Sequence, residues 1–126
     1  MTHELEGEYH GIIISESLPD RSILNGVRIL GSKRTGSWTL LRVGIESKQL
    51  KNIIQLVQRN LLTESGIPYY AHFYREGELI VVFPQRVFYL KPDRETWAPV
   101  VSYGKSLGIP ENELDFTPCR FEEETY

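Results

Sequence analysis

The stretch Ser47-Lys48-Gln49-Leu50-Lys51-Asn52-Ile53-Ile54-Gln55-Leu56-Val57-Gln58-Arg59-Asn60-Leu61 decides the fold. Leu50, Ile53, Ile54, Val57 and Leu61 recur at helical spacing, and Lys48, Gln49, Lys51, Asn52, Gln55, Gln58 and Arg59 take the opposite side. An apolar stripe of this kind makes a helix that is stable only when the stripe is buried against another layer. Ser47 suits the N-cap, and Gly66 followed by Pro68 predicts the stop. The pattern is that of a one-sided helix lying on a sheet.

The flanking sequence supplies the strands. Upstream, Tyr9–Ser15 is centred on Ile12-Ile13-Ile14, three β-branched residues suited to a covered strand. Ser17–Gly26 reads as a connection with one helical turn capped by Asp20. Val27–Ser32 and Trp38–Glu46 form a strand pair joined by the polar loop Ser32–Ser37. Thr39, Leu41, Val43 and Ile45 share one face of the second strand, and Trp38, Leu40 and Arg42 the other.

Downstream, Tyr69–Arg75, Glu78–Phe83 and Arg86–Lys91 read as a meander, with Glu76-Gly77 and Pro84-Gln85 as two-residue turns. A second helix is expected over about Thr96–Leu107, with Pro99 in its first turn and Trp97, Val100, Val101, Gly104 and Leu107 inward. Gly108 ends it, and Pro110 opens a further turn through Leu114. The order βββα-βββα predicts an α+β two-layer sandwich: a mostly antiparallel sheet of five to six strands with two helices on one face. Residues 1–126 form one domain in this reading, with 1–7 and the acidic 120–126 as flexible tails. Gly66-Ile67-Pro68 and Gly108-Ile109-Pro110 lie 42 residues apart, as in an internal duplication, although Gly then Pro is also how helices commonly stop.

Composition bounds the function. A hydrophobic fraction of 40% and a charged fraction of 25% are those of a globular domain rather than a disordered or fibrous chain. The net charge of −3 disfavours nucleic acid as a partner. The charge is uneven, with eight Lys/Arg against six Asp/Glu in residues 1–63 and six against eleven in 64–126. Cys119 is the single cysteine, so no intrachain disulfide forms. The polar start Met1–Glu6 lacks a signal-peptide pattern, and apolar runs of four or five residues fall far short of the roughly 20 that span a bilayer. A cytoplasmic protein with no membrane association is the expectation.

Tyr69-Tyr70-Ala71-His72-Phe73-Tyr74-Arg75 is the local feature with the most chemistry. Alternation puts Tyr70, His72 and Tyr74 on one face, where an imidazole between two phenols offers an acid–base group and hydrogen-bond donors. His72 is the candidate general acid or base, with Arg42 or Arg86 to pair an anionic group. The same residues also suit a plain wet sheet face. Lys33 and Arg34, within Gly31–Ser37, are a weaker anion-binding candidate, because the segment does not match the phosphate-binding loop pattern and leads into a strand. His3, His10, His72 and Cys119 are dispersed without metal-ligand spacing, so no metal or other cofactor is expected. Cys119 has no evident base, and Glu122-Glu123-Glu124 reads as a solubilising tail.

Two functions fit. One is a small non-enzymatic binding, adaptor or sensor domain, expected to be homodimeric, that takes a protein or small ligand on an open aromatic face carrying Trp38, Leu40, Tyr70 and Tyr74. The other is a small enzyme using His72, with Tyr70 or Tyr74 orienting the substrate. The discriminating feature is whether His72 lines a concave pocket with an arginine in reach.

Overall fold

The computed structural model describes Glu8–Tyr126. The expectation of a flexible 1–7 segment, and His3 with it, lies outside the described residues. Strands β1 (Glu8–Ile14), β2 (Arg28–Thr35) and β3 (Trp38–Glu46) precede helix α1 (Leu50–Asn60). A short hairpin, β4 (Thr63–Glu64) and β5 (Ile67–Pro68), leads to β6 (Ala71–Arg75), β7 (Glu78–Phe83), β8 (Arg86–Leu90) and helix α2 (Ala98–Ser106). Six strands form one sheet in the order β2-β3-β1-β6-β7-β8, with every neighbouring pair antiparallel. The α+β class, the antiparallel sheet and the two helices are those the sequence predicts. No helix among the described residues is long and apolar enough to cross a membrane.

The placement of the helices differs from the expectation of one shared face. α1 buries Ile53, Ile54 and Val57 with Leu41, Val43, Ala71, Phe73, Ile80 and Val82. α2 brings Val100, with Trp97 before it, onto the other face, against Leu79, Val81, Phe83 and Phe88. The reason lies in β7, whose residues Leu79-Ile80-Val81-Val82-Phe83 are all buried. A strand apolar on both faces needs cover on both, and one helix cannot supply it.

Local differences follow from turn chemistry. α1 ends at Asn60, and Gly66 (φ +82°) turns the β4–β5 hairpin rather than stopping the helix. Ser47 opens a 3-10 turn ahead of α1, so the N-cap position falls to Gln49, which makes no side-chain cap bond. The Ser32–Ser37 loop shrinks to the turn Gly36-Ser37, because β2 runs on to Thr35. Asp20 does cap a short helix over Arg21–Gly26, accepting from the Ser22 amide at 3.0 Å.

The segment after α2 is the part the sequence undervalues. Ile109, Leu114, Phe116 and Cys119 are all buried in the second core. Gly104 of α2 lets Leu114 approach so closely that a Cβ there would lie 2.5 Å from a leucine methyl. The tail makes contacts of its own with the sheet. Phe121 packs on the His10 ring, with centroids 4.5 Å apart, and Glu124 enters a polar cluster on the sheet.

Candidate functional site

On the face that receives α2, the cover is incomplete. α2 and residues 109–119 lie over the β6–β8 half of the sheet, and residues 120–126 cross β1 and β3 near His10 and Arg42. Beside residues 109–117 and the β4–β5 hairpin lies a cleft of about 630 Å³. Ile12 and Ile14 of β1 and Trp38 and Leu40 of β3 form its sheet wall. These side chains share a face because Ile14 pairs with Leu40 and Ile12 with His72 in register.

The two Gly-Ile-Pro triplets meet at the mouth. Ile67 and Pro68 come from the β4–β5 hairpin, Ile109 and Pro110 from the turn after α2, and all four line the cleft. Ile67 packs over Gly108, where a Cβ would lie 3.3 Å from its side chain. Gly108 sits at φ +95°, a conformation glycine adopts without strain. Trp38 and Tyr69, edge to face at 6.2 Å, add aromatic surface.

His72 is 4% exposed and lines the cleft. Its Nε2 lies 2.8 Å from the Pro118 carbonyl oxygen. A carbonyl only accepts, so Nε2 carries the proton and, in the neutral ring, Nδ1 holds a free lone pair. Every fully buried side-chain nitrogen or oxygen among the described residues has a hydrogen-bond partner. Nδ1 has none, so it keeps an opening, and the cavity that His72 borders is the cleft. Burial pushes the imidazole down to about 4, against smaller opposing effects of the Pro118 carbonyl and Asp115. At neutral pH the ring is therefore an uncharged acceptor and a weak base.

The other predicted site residues separate. Tyr70 stays with His72 at the cleft, its hydroxyl donating to the Glu113 carbonyl oxygen. Burial holds that phenol above its ordinary range. Tyr74 is buried and donates instead to Glu124 at 2.5 Å. Burial, reinforced by that carboxylate, raises its pKa. Arg42 turns away from His72 to Glu124, at 3.1 Å, and to the Tyr126 backbone oxygen. Arg86 lies on β8, with β7 between it and β6, its guanidinium 4.4 Å from the Phe88 ring centre. Arg34 bonds Gly36 and Thr39, and Lys33 lies 5.9 Å from the Tyr126 ring centre. Among the described residues, no arginine or lysine lines the cleft.

Glu124 is the residue that sequence reasoning missed. Its carboxylate, 12% exposed, accepts from Tyr74, from His10 Nδ1 at 2.6 Å and from Arg42. Nothing in a run of three glutamates marks which of them reaches the sheet. Charge-assisted hydrogen bonds contribute about 1.5–3 kcal/mol. Glu124→Ala is expected to destabilise the protein by that order and to speed amide hydrogen exchange from Phe121 to Tyr126, while leaving exchange in α1 unchanged. Unaltered exchange in the tail would mean that other contacts hold it.

Cys119 is buried, its thiol 3.7 Å from the Pro92 carbonyl oxygen. Burial, with Glu123 adding to it, pushes the thiol up to about 12, which leaves it unreactive at neutral pH. No group of three His, Cys, Asp or Glu that could hold a metal occurs among the described residues. Compared with known proteins, the chain matches no family model, no curated protein and no solved structure.

Proposed function

We propose that this domain is a binding module that holds a small, largely apolar molecule in the cleft without transforming it. The observation that carries the reading is a cavity of about 630 Å³, walled by Ile12, Ile14, Trp38 and Leu40, with one buried imidazole at its polar end. That volume falls in the range of small-molecule sites, which pair apolar walls with a few convergent polar groups.

Catalysis is the weaker reading for stated reasons. A general base works best with a pKa near the working pH, and His72 sits well below it. Tyr74 is engaged by Glu124, and neither Arg42 nor Arg86 reaches the cleft, so no anionic substrate has its anchor there. What remains at His72 is recognition: a lone pair that orients a ligand N–H or O–H.

The test is titration of the full chain with N-phenyl-1-naphthylamine, an uncharged fluorophore that brightens in apolar sites. Saturable one-to-one binding is expected. Leu40→Trp, which fills the cleft from its half-buried sheet wall, should weaken it by at least about tenfold with little change in melting temperature. Binding that is absent, or indifferent to Leu40→Trp, would sink the reading.

A further inference from the structure

Taking the cleft as a ligand site, we infer that its ligand is an organic cation: an apolar, preferably aromatic body carrying an amine or ammonium group. Every ionisable side chain lining the cleft other than the tyrosines and His72 is a carboxylate, namely Glu64, Glu113 and Asp115. Among the described residues, Glu64 receives only the Tyr69 hydroxyl, at 3.3 Å. Asp115 accepts from Thr117 through its amide and hydroxyl, and pairs loosely with the exposed Arg94 at 3.4 Å. The Glu113 carboxylate makes no ion pair among the described residues.

Charge alone would mark a solvated rim. The second observation is His72, nine-tenths and more buried, which lines the same space with its Nε2 held by the Pro118 carbonyl and its Nδ1 without a partner among the described residues. Nδ1 is thus an accessible acceptor with no protein donor, and a ligand N–H or O–H fits it. The carboxylates and Nδ1 are all acceptors, and an ammonium or amine is the group that offers several donors and a positive charge together. Trp38 and Tyr69 present aromatic surface on the remaining side, which suits both a ring and a cation. An anionic ligand of the same shape would meet three like charges, with Arg94 at Asp115 the one cation paired to them among the described residues.

Three probes of one shape decide the matter on the full chain: 2-(1-naphthyl)ethylamine, 2-(1-naphthyl)ethanol and 1-naphthylacetate. Each is followed by amide chemical shifts at neutral pH. The ammonium is expected to bind at least about tenfold tighter than the alcohol, and the carboxylate at least about tenfold weaker. The ammonium's advantage should shrink at about 0.5 M salt, where charges more than a few ångströms apart are screened. It should shrink again in Glu64→Gln/Glu113→Gln. Because the salt series uses the unaltered chain, it decides even if the variant folds poorly. Equal affinity for all three at the cleft overturns the cation and leaves the cleft standing. No shift at cleft residues with any of them overturns both.

Discussion

Phe116→Ala is expected to destabilise the domain by about 3–5 kcal/mol, the cost of deleting a well-packed buried ring. Phe116 is fully buried and lies in a segment with no regular secondary structure. Its ring meets Trp97 at 5.0 Å, Tyr70 at 5.6 Å and His72 at 6.0 Å. One side chain thus ties the chain after α2 to the sheet and backs the two residues that carry the cleft's polar end. The large loss should therefore come with a looser site. In urea unfolding, Phe116→Ala should lower the midpoint strongly, and Phe116→Leu, which keeps most of the volume, by less than half as much. In the surviving folded protein, the non-proline amides from Ile109 to Thr117 should exchange faster than those of β7. A loss below about 1 kcal/mol would show that this segment stands apart from the cooperative core.

That dependence on one aperiodic segment explains what the sequence revealed and what it hid. The stripe of α1 was legible because helical spacing is a local property: Ile53, Ile54 and Val57 face inward whatever they meet. The alternation of Tyr70, His72 and Tyr74 was legible for the same reason. The partners of those residues were not. His72 is met by Pro118 and Tyr74 by Glu124, contacts that span 46 and 50 residues and leave no mark on either local pattern. The sidedness of the helices did have a signal, the five apolar residues Leu79–Phe83, which need cover on both faces. Which half of the second face stays open depends on the pairing of β1 with both β3 and β6. No turn or periodicity specifies that insertion, so the cleft itself was beyond reach from composition. Its wall was not: Trp38 and Leu40 alternate with the core residues of β3 and had to face the other side.

The state of His72 also sets a pH dependence that the fold must obey. Burial lowers the imidazole from 6.5 to about 4 in the folded chain, whereas the unfolded chain protonates near the ordinary value. Between those two values the unfolded state binds the extra proton, so stability falls as pH falls. The sign follows directly: the contribution is fully present above about pH 6.5, is lost progressively towards pH 4, and is flat below it. At about 1.4 kcal/mol per unit, the window amounts to roughly 3 kcal/mol. Carboxylates such as Glu78 and Glu123, whose pKa values are lowered in the fold, add their own acid sensitivity at lower pH. They titrate alike in a variant, so the comparison that isolates His72 is a difference. His72→Gln keeps a donor for the Pro118 carbonyl and cannot take up the proton. Urea unfolding of both proteins between pH 7 and pH 4 should show the wild type losing roughly 3 kcal/mol more than His72→Gln. A difference that does not change with pH would mean that the imidazole protonates normally in the folded protein. The neutral Nδ1 lone pair at the cleft would then be gone at mildly acidic pH, and a cationic ligand would meet repulsion there instead of an acceptor. With the shift in place, the acceptor survives well below neutrality, and a ligand that donates to it keeps that contact there.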